Sequence, residues 1–156
     1  MHLTDRDVAR FWAKVDKRGE CWRWTAGKSH DGYGRFSYGG RGGHEPYAHR
    51  VAFVLAGRRL PAGYVVDHIC HVRDCVRPEH LRAVTVKQNN ENRRGAQPGS
   101  KSGVRGVHWS GYGWTVQVKH LGRKHYGGHF ADLSTAAEAA RSLRNRLFTH
   151  NERDRV

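Results

Sequence analysis

No apolar run in this chain approaches the ~20 residues that a membrane-spanning helix needs, which excludes a helical membrane protein. The opening residues, MHLTDRDVARFW, hold no uninterrupted apolar stretch of the kind a secretory signal requires, so a cytoplasmic location is expected. Cysteine is scarce: there are three, and an odd count argues against a disulfide framework and leaves metal ligation as the better use. Acidic residues are also short, 14 against 28 Lys+Arg, for a formal charge of +14. The excess is not confined to one tail, since residues 1–95 carry 18 basic and 10 acidic side chains and residues 96–156 carry 10 and 4. Two basic regions interleaved with five Trp and six Tyr point to a polyanion, nucleic acid in particular. Internal repeats and extended low-complexity tracts are absent as well.

What is present reads as one domain, or two small ones that each need a staple. Thr4, with Asp7 three residues on, starts an amphipathic helix bearing Val8, Phe11, Trp12 and Val15 on one face. CWRWTAG and YGRFSYGG read as strands around a glycine-rich turn. EPYAHRVAFVLAG reads as a helix with Ala48, Val51, Ala52 and Leu55 inward and Gly57 as its stop. GYVVDH is a strand, and Thr85 with Gln88 opens a helix reaching about Arg94. The polar stretch RGAQPGSKSG is the one convincing linker, which predicts domains over 1–95 and 104–150 joined by 96–103. Beyond it, GVRGVHW, GWTVQVKH and RKHYGGHF form three short strands, with turns around Gly111–Gly113 and Leu121–Gly122. A last helix follows, capped by Thr135 and Glu138, with an inner stripe of Ala136, Ala139, Ala140, Leu143 and Leu147 small enough to sit close on a sheet. The expected class is α+β.

The densest chemistry lies in VVDHICHVRDCVRPEHLRAVTVKQNNENR, residues 65–93. Cys70, Cys75 and His80 are spaced C-x4-C-x4-H, the soft donors a tetrahedral structural zinc takes. Cys21 is the natural fourth ligand, with His71, His44 and His49 as alternatives. His68 ends a strand beside Asp67, and Asn89 follows on the next helix. A general base with two hard oxygen donors for a magnesium-like ion are the parts needed to hydrolyse a phosphodiester. Arg50, in AHRVAF, is either a clamp for that phosphate or an ordinary surface arginine.

On these residues, roughly 20–93, the chain resembles the HNH and His-Cys-box homing endonucleases of the ββα-metal nuclease superfamily. His68, Cys70, Cys75, His80 and Asn89 follow the His-Cys-box spacing, and Asp67-His68 resembles the DH pair of phage HNH enzymes. The resemblance implies His68 as base and Asp67 and Asn89 as ligands of a catalytic magnesium (or manganese). It implies Cys21, Cys70, Cys75 and His80 as the site of one structural zinc per chain. No histidine follows Asn89; Asn92 or Arg93 stands at the third HNH position. Residues 102–148 resemble the ethylene-response-factor (Apetala-type) DNA-binding domain, a three-stranded sheet backed by one helix. There Arg105, Trp109, Trp114, Gln117, Lys119, Arg123 and Lys124 stand on strands or turns where bases and phosphates could be reached, although at least one of the two tryptophans is better read as core.

Together these readings predict a zinc-stapled ββα-metal nuclease domain followed by a small three-stranded antiparallel sheet plus one helix. The expected function is site-specific, metal-dependent cleavage of double-stranded DNA in the homing style. It would act as a monomer or homodimer, in the bacterial host cell if phage-encoded. A zinc-stabilised DNA-binding regulator without catalysis is the alternative from another class, and it leaves the placement of Asp67, His68 and Asn89 unexplained. A restriction-type or nonspecific nuclease is the third.

Overall fold

A computed structural model describes residues 1–39, 43–93 and 95–155. The chain divides into two compact units, Met1–Val86 and Lys87–Val156.

In the first unit, α1 (Asp5–Trp12) begins at the expected cap: the Thr4 hydroxyl accepts from the Asp7 N–H at 3.2 Å, and the Asp7 carboxylate accepts from the Thr4 N–H at 3.2 Å. The helix is shorter than its apolar stripe suggested. Val15 falls beyond it in β1 (Val15–Asp16), paired antiparallel with β2 (Arg23–Trp24). Phe11, Trp24 and Phe36 are fully buried with ring centroids 5.0–5.9 Å apart, the centre of the core. Gly34 lies so close that a Cβ there would stand 2.6 Å from the Trp24 ring. The strand expected in YGRFSYGG is only a series of isolated bridges, Lys28↔Gly34, Arg35↔Tyr47 and Tyr38↔His44, while Gly40 lies outside the described residues. Glycine at 32, 34 and 39 weakens a regular ladder there.

α2 (Ala48–Leu55) buries Ala48, Val51, Ala52 and Phe53 as expected of its inner face, and Gly57, at φ 73°, follows its end. β3 (Tyr64–His68) pairs antiparallel with β4 (Leu81–Thr85), setting Asp67 opposite Arg82 and His68 opposite Leu81. β4 was not anticipated from its sequence; its buried residues are Leu81 and Val84, which break the period-two pattern. A 3₁₀ turn, Pro78–His80, delivers the chain to it. Arg58 donates to the carbonyls of Pro78 and Leu81, both at 2.7 Å, and ties that turn to the end of α2.

The division between units falls in the first turn of α3 (Val86–Glu91), well before the expected linker. The helix ends at Glu91, and Arg94, its expected limit, lies outside the described residues. The stretch 96–103 is built into the second unit. Buried Ser102 explains this: its hydroxyl donates to Val107 O at 2.7 Å and accepts from Val104 N–H at 3.1 Å.

The second unit holds a three-stranded antiparallel sheet in the order β5 (Val107–Trp109), β6 (Trp114–His120), β7 (Arg123–Phe130), backed by α4 (Leu133–Leu147). Asp132, not Thr135, caps α4: its carboxylate accepts from Thr135 N–H at 2.8 Å and from the Thr135 hydroxyl at 2.6 Å. Val116, Val118, Ala136, Ala140 and Leu143 form the core, with Ala139 and Leu147 partly buried beside it. A Cβ on Gly127 would stand 2.4 Å from the Val116 side chain and 3.0 Å from Leu143, so glycine as well as the alanines permits the close helix–sheet approach. Among the described residues no helix is long and apolar enough to cross a membrane.

Leu121 and Gly122 join β6 to β7 at φ 48° and 77°, both in the left-handed region. Glycine tolerates that conformation; leucine does not, and this one is exposed besides. Leu121→Asn should therefore stabilise the hairpin by about 0.5–1.5 kcal/mol, read as a higher midpoint in urea at unchanged slope.

Candidate functional site

The sulfur atoms of Cys21, Cys70 and Cys75 and a ring nitrogen of His80 all lie within 4.8 Å of one another. Local structure explains how residues so far apart meet. The isolated bridge Arg23↔Cys75 lays the segment after Cys21 against the 70–80 loop, with Trp24 N–H donating to Asp74 O at 2.9 Å and Val76 N–H to Trp22 O at 2.8 Å. Buried Asp74 takes Lys28 at 2.7 Å and Arg23 at 3.2 Å, and Arg77 donates to Glu20 O at 2.8 Å. Within the loop, His71 adopts φ 56° and Ile69 N–H returns to His80 O.

The donor set fits zinc. Cys21 Sγ and Cys75 Sγ each stand 3.6 Å from His80 Nδ1, close to the ~3.5–3.8 Å edges of a tetrahedron with ordinary zinc–sulfur and zinc–nitrogen bonds. The thiols share protons: a hydrogen bond from Cys75 pushes Cys70 down to about 5, and the same bond, with burial, pushes Cys75 up. Binding must displace that proton. The three fallback histidines stand outside this set: His44 bridges to Tyr38, His49 packs beside His68, and His71 buries its Nε2 without a partner among the described residues.

His68, 6% exposed, ends β3 with its Nε2 2.9 Å from Cys75 O. A carbonyl can only accept, so Nε2 carries the proton and the neutral ring presents the Nδ1 lone pair. Burial, the largest cause, holds the His68 pKa below the usual histidine value; the bond to Cys75 O opposes it. Its ring lies 4.6 Å from that of His49 and 6.0 Å from that of Tyr33. Asp67 is buried next door, its Oδ2 held by Arg82 at 3.0 and 3.1 Å across the β3–β4 pair. Arg50 is exposed on α2 with no ion pair among the described residues. Asn89 is exposed on α3 and belongs to the second unit.

On the second unit, Gln117, Lys119 and Lys124 share the sheet face opposite α4, as Lys119 pairs with Lys124 and Gln117 with Tyr126. His108, Thr115, Tyr126 and His129 complete that face, and Tyr126 is 66% exposed. Alternation about buried Val116 and Val118 marks Thr115 on β6, but His108, Tyr126 and His129 follow only from the strand pairing. Arg123 opens β7 opposite His120. The other residues expected to reach nucleic acid are engaged differently. Trp114 packs on the core and Trp109 leans on it at 5.0 Å, still half-exposed. The Arg105 guanidinium donates to the carbonyls of Asn90 and Glu91 at 2.7 and 2.8 Å and lies over the Phe148 ring, which closes the end of α3.

Residues 46–91 match the family model for HNH endonucleases, which supports an HNH nuclease family for this segment. The chain is 33% identical over 90 residues to Protein 2.8 of Escherichia phage T7, covering 58% of either chain. It is 34% identical over 73 residues to Protein 7.7 of the same phage, covering 47% of this chain and 54% of that one. The chain thus spans somewhat more than half the length of these curated relatives. No solved structure matches.

Elemental analysis of untagged protein should find one zinc per chain. Cys75→Ser should lose the metal and unfold the first unit, because a structural zinc contributes on the order of 10 kcal/mol to a small domain.

Proposed function

We propose that this chain is a metal-dependent DNA endonuclease that hydrolyses phosphodiester bonds, site-specific and of the homing type. The observation that carries the reading is the buried His68, whose Nε2 is committed to Cys75 O beside a zinc-competent cluster, inside the segment similar to HNH endonucleases. In this mechanism His68 Nδ1 takes a proton from the attacking water, and burial keeps the ring in its uncharged, proton-accepting form. Asp67 would supply an oxygen donor for a magnesium-like ion, with the Arg82 pair holding its carboxylate in one orientation, and Asn89 is the second donor that the family resemblance implies. When bound, that ion supplies charge stabilisation for the pentacoordinate phosphorus and the departing 3′-oxygen. Arg50 clamps the phosphate. The outer sheet face of the second unit, in the manner of the ethylene-response-factor domains it resembles, reads duplex DNA through Gln117 with Lys119 and Lys124 on phosphates, and exposed Arg123 at the hairpin end takes a further phosphate.

Supercoiled plasmid incubated with the purified protein and magnesium should be nicked or linearised, and EDTA should stop it. His68→Ala should cut ~10²–10⁴-fold more slowly with unchanged zinc content and DNA affinity. A His68→Ala protein that had lost zinc would instead make His68 structural, and no cleavage by wild type under any divalent ion would favour the non-catalytic regulator. For the sheet, Lys119→Ala with Lys124→Ala should weaken binding to all sequences alike. The slope of log affinity against log salt should become shallower by ~0.9 for each phosphate that the variant no longer neutralises.

A further inference from the structure

His49 is the least explained side chain of the first unit. It is 5% exposed on the first turn of α2, and its Nδ1 is buried with no hydrogen-bond partner among the described residues. Tyr47 stacks on one side at 5.6 Å and 17°, Tyr33 lies at 5.4 Å, and the His68 ring lies at 4.6 Å. Packing alone does not require an imidazole here, because a phenyl ring fills the same space without stranding a polar atom.

The stranded nitrogen decides where the proton sits. A buried N–H without an acceptor is rarer than an acceptor without a donor, so the neutral ring carries its proton on Nε2, the nitrogen not stranded in this way. Burial, the largest cause, with the neighbouring His68 ring and the Arg50 guanidinium also disfavouring a second cation there, pushes the His49 pKa down to about 3, so the ring is uncharged near neutral pH. Two adjacent imidazoles therefore show opposite chemistry: His68 spends its N–H on Cys75 O and offers a lone pair, while His49 hides its lone pair and offers an N–H.

We propose that His49 is a further catalytic residue, a fixed neutral donor whose Nε2–H hydrogen-bonds a non-bridging oxygen of the scissile phosphodiester beside His68. This rests on the nuclease reading. Water oxygen bonds to phosphorus, the phosphorus–O3′ bond breaks, the water proton goes to His68, and the O3′ alkoxide takes a proton from solvent. His49 gives up no proton; its N–H shortens onto the oxygen as charge accumulates there, in a site where burial strengthens the contact.

Single-turnover cleavage of a plasmid in magnesium, with binding affinity, zinc content and melting temperature measured alongside, tests this on wild type, His49→Phe, His49→Gln and His49→Asn. His49→Phe keeps the ring packing and lacks the donor, so it should bind DNA normally and cut about 10²-fold more slowly, the usual loss for one such donor. The amide N–H of His49→Gln reaches the Nε2 position and should restore cleavage to within about tenfold of wild type, whereas His49→Asn reaches only towards Nδ1 and should stay slow. Wild-type cleavage rates in His49→Phe would overturn the proposal. So would a folded His49→Gln as slow as His49→Phe, or slowing that merely tracks lost zinc or a lower melting temperature in all three variants. A wild type that never cuts would sink the nuclease reading itself, a result distinct from an active wild type with an equally active His49→Phe.

Discussion

Three thiols and an imidazole held within 4.8 Å of one another set the geometry of the first unit. Cys21 arrives from the β2 segment, Cys70 and Cys75 from the loop after β3, and His80 from the turn that starts β4. The aromatic core of Phe11, Trp24 and Phe36 is compact but small; it packs α1 and α2 and takes in Val76 from the 70–80 loop. A tetrahedral metal held there would do what apolar burial does elsewhere: it would close a long loop at four points and fix the loop backbone. The Asp74 ion pairs and the Arg77 bond to Glu20 O are polar supports of the same junction.

The consequence for chemistry is carried by one backbone atom. The carbonyl that fixes the His68 tautomer belongs to Cys75, itself a member of the metal cluster. A residue of the zinc-competent cluster thereby orients the imidazole, and the two sit on a single loop. Disturbing the cluster should therefore misplace the ring that would act as base, even though no cluster atom takes part in the reaction.

The second unit solves a different problem with different means. One sheet backed by α4 leaves the seventy residues of this unit little core, and the unit compensates by close approach: Ala136 and Ala140 on α4 meet a sheet that offers glycine at 127. Polar groups then close its edges. Glu91 accepts from the Thr149 N–H and hydroxyl and pairs with Lys87, and Arg105 satisfies the terminal carbonyls of α3. The face away from α4 is left with lysine, glutamine, histidine and tyrosine, a composition suited to phosphate and base edges.

Much of this was legible from spacing alone. The C-x4-C-x4-H run with Cys21 in reserve, the α2 and α4 stripes, the three strands of the second unit and the Thr4 cap are local patterns, and each is decided by side chains a few residues apart. Three things were not local. β4 lacked alternation, so only its pairing with β3 reveals it. The stretch 96–103 had a linker's composition, but Ser102 finds its acceptor on β5. Arg105 looked like a residue for DNA until the carbonyls of α3 claimed it. The amino-acid sequence by itself determined which donors, bases and cations the chain owns, because those are properties of residue type and interval. Tertiary structure alone decided which nitrogen of His68 is tied to a carbonyl and which nitrogen of His49 is stranded, because a tautomer depends on the neighbour each ring nitrogen meets, and the neighbour of His68 comes from another part of the chain.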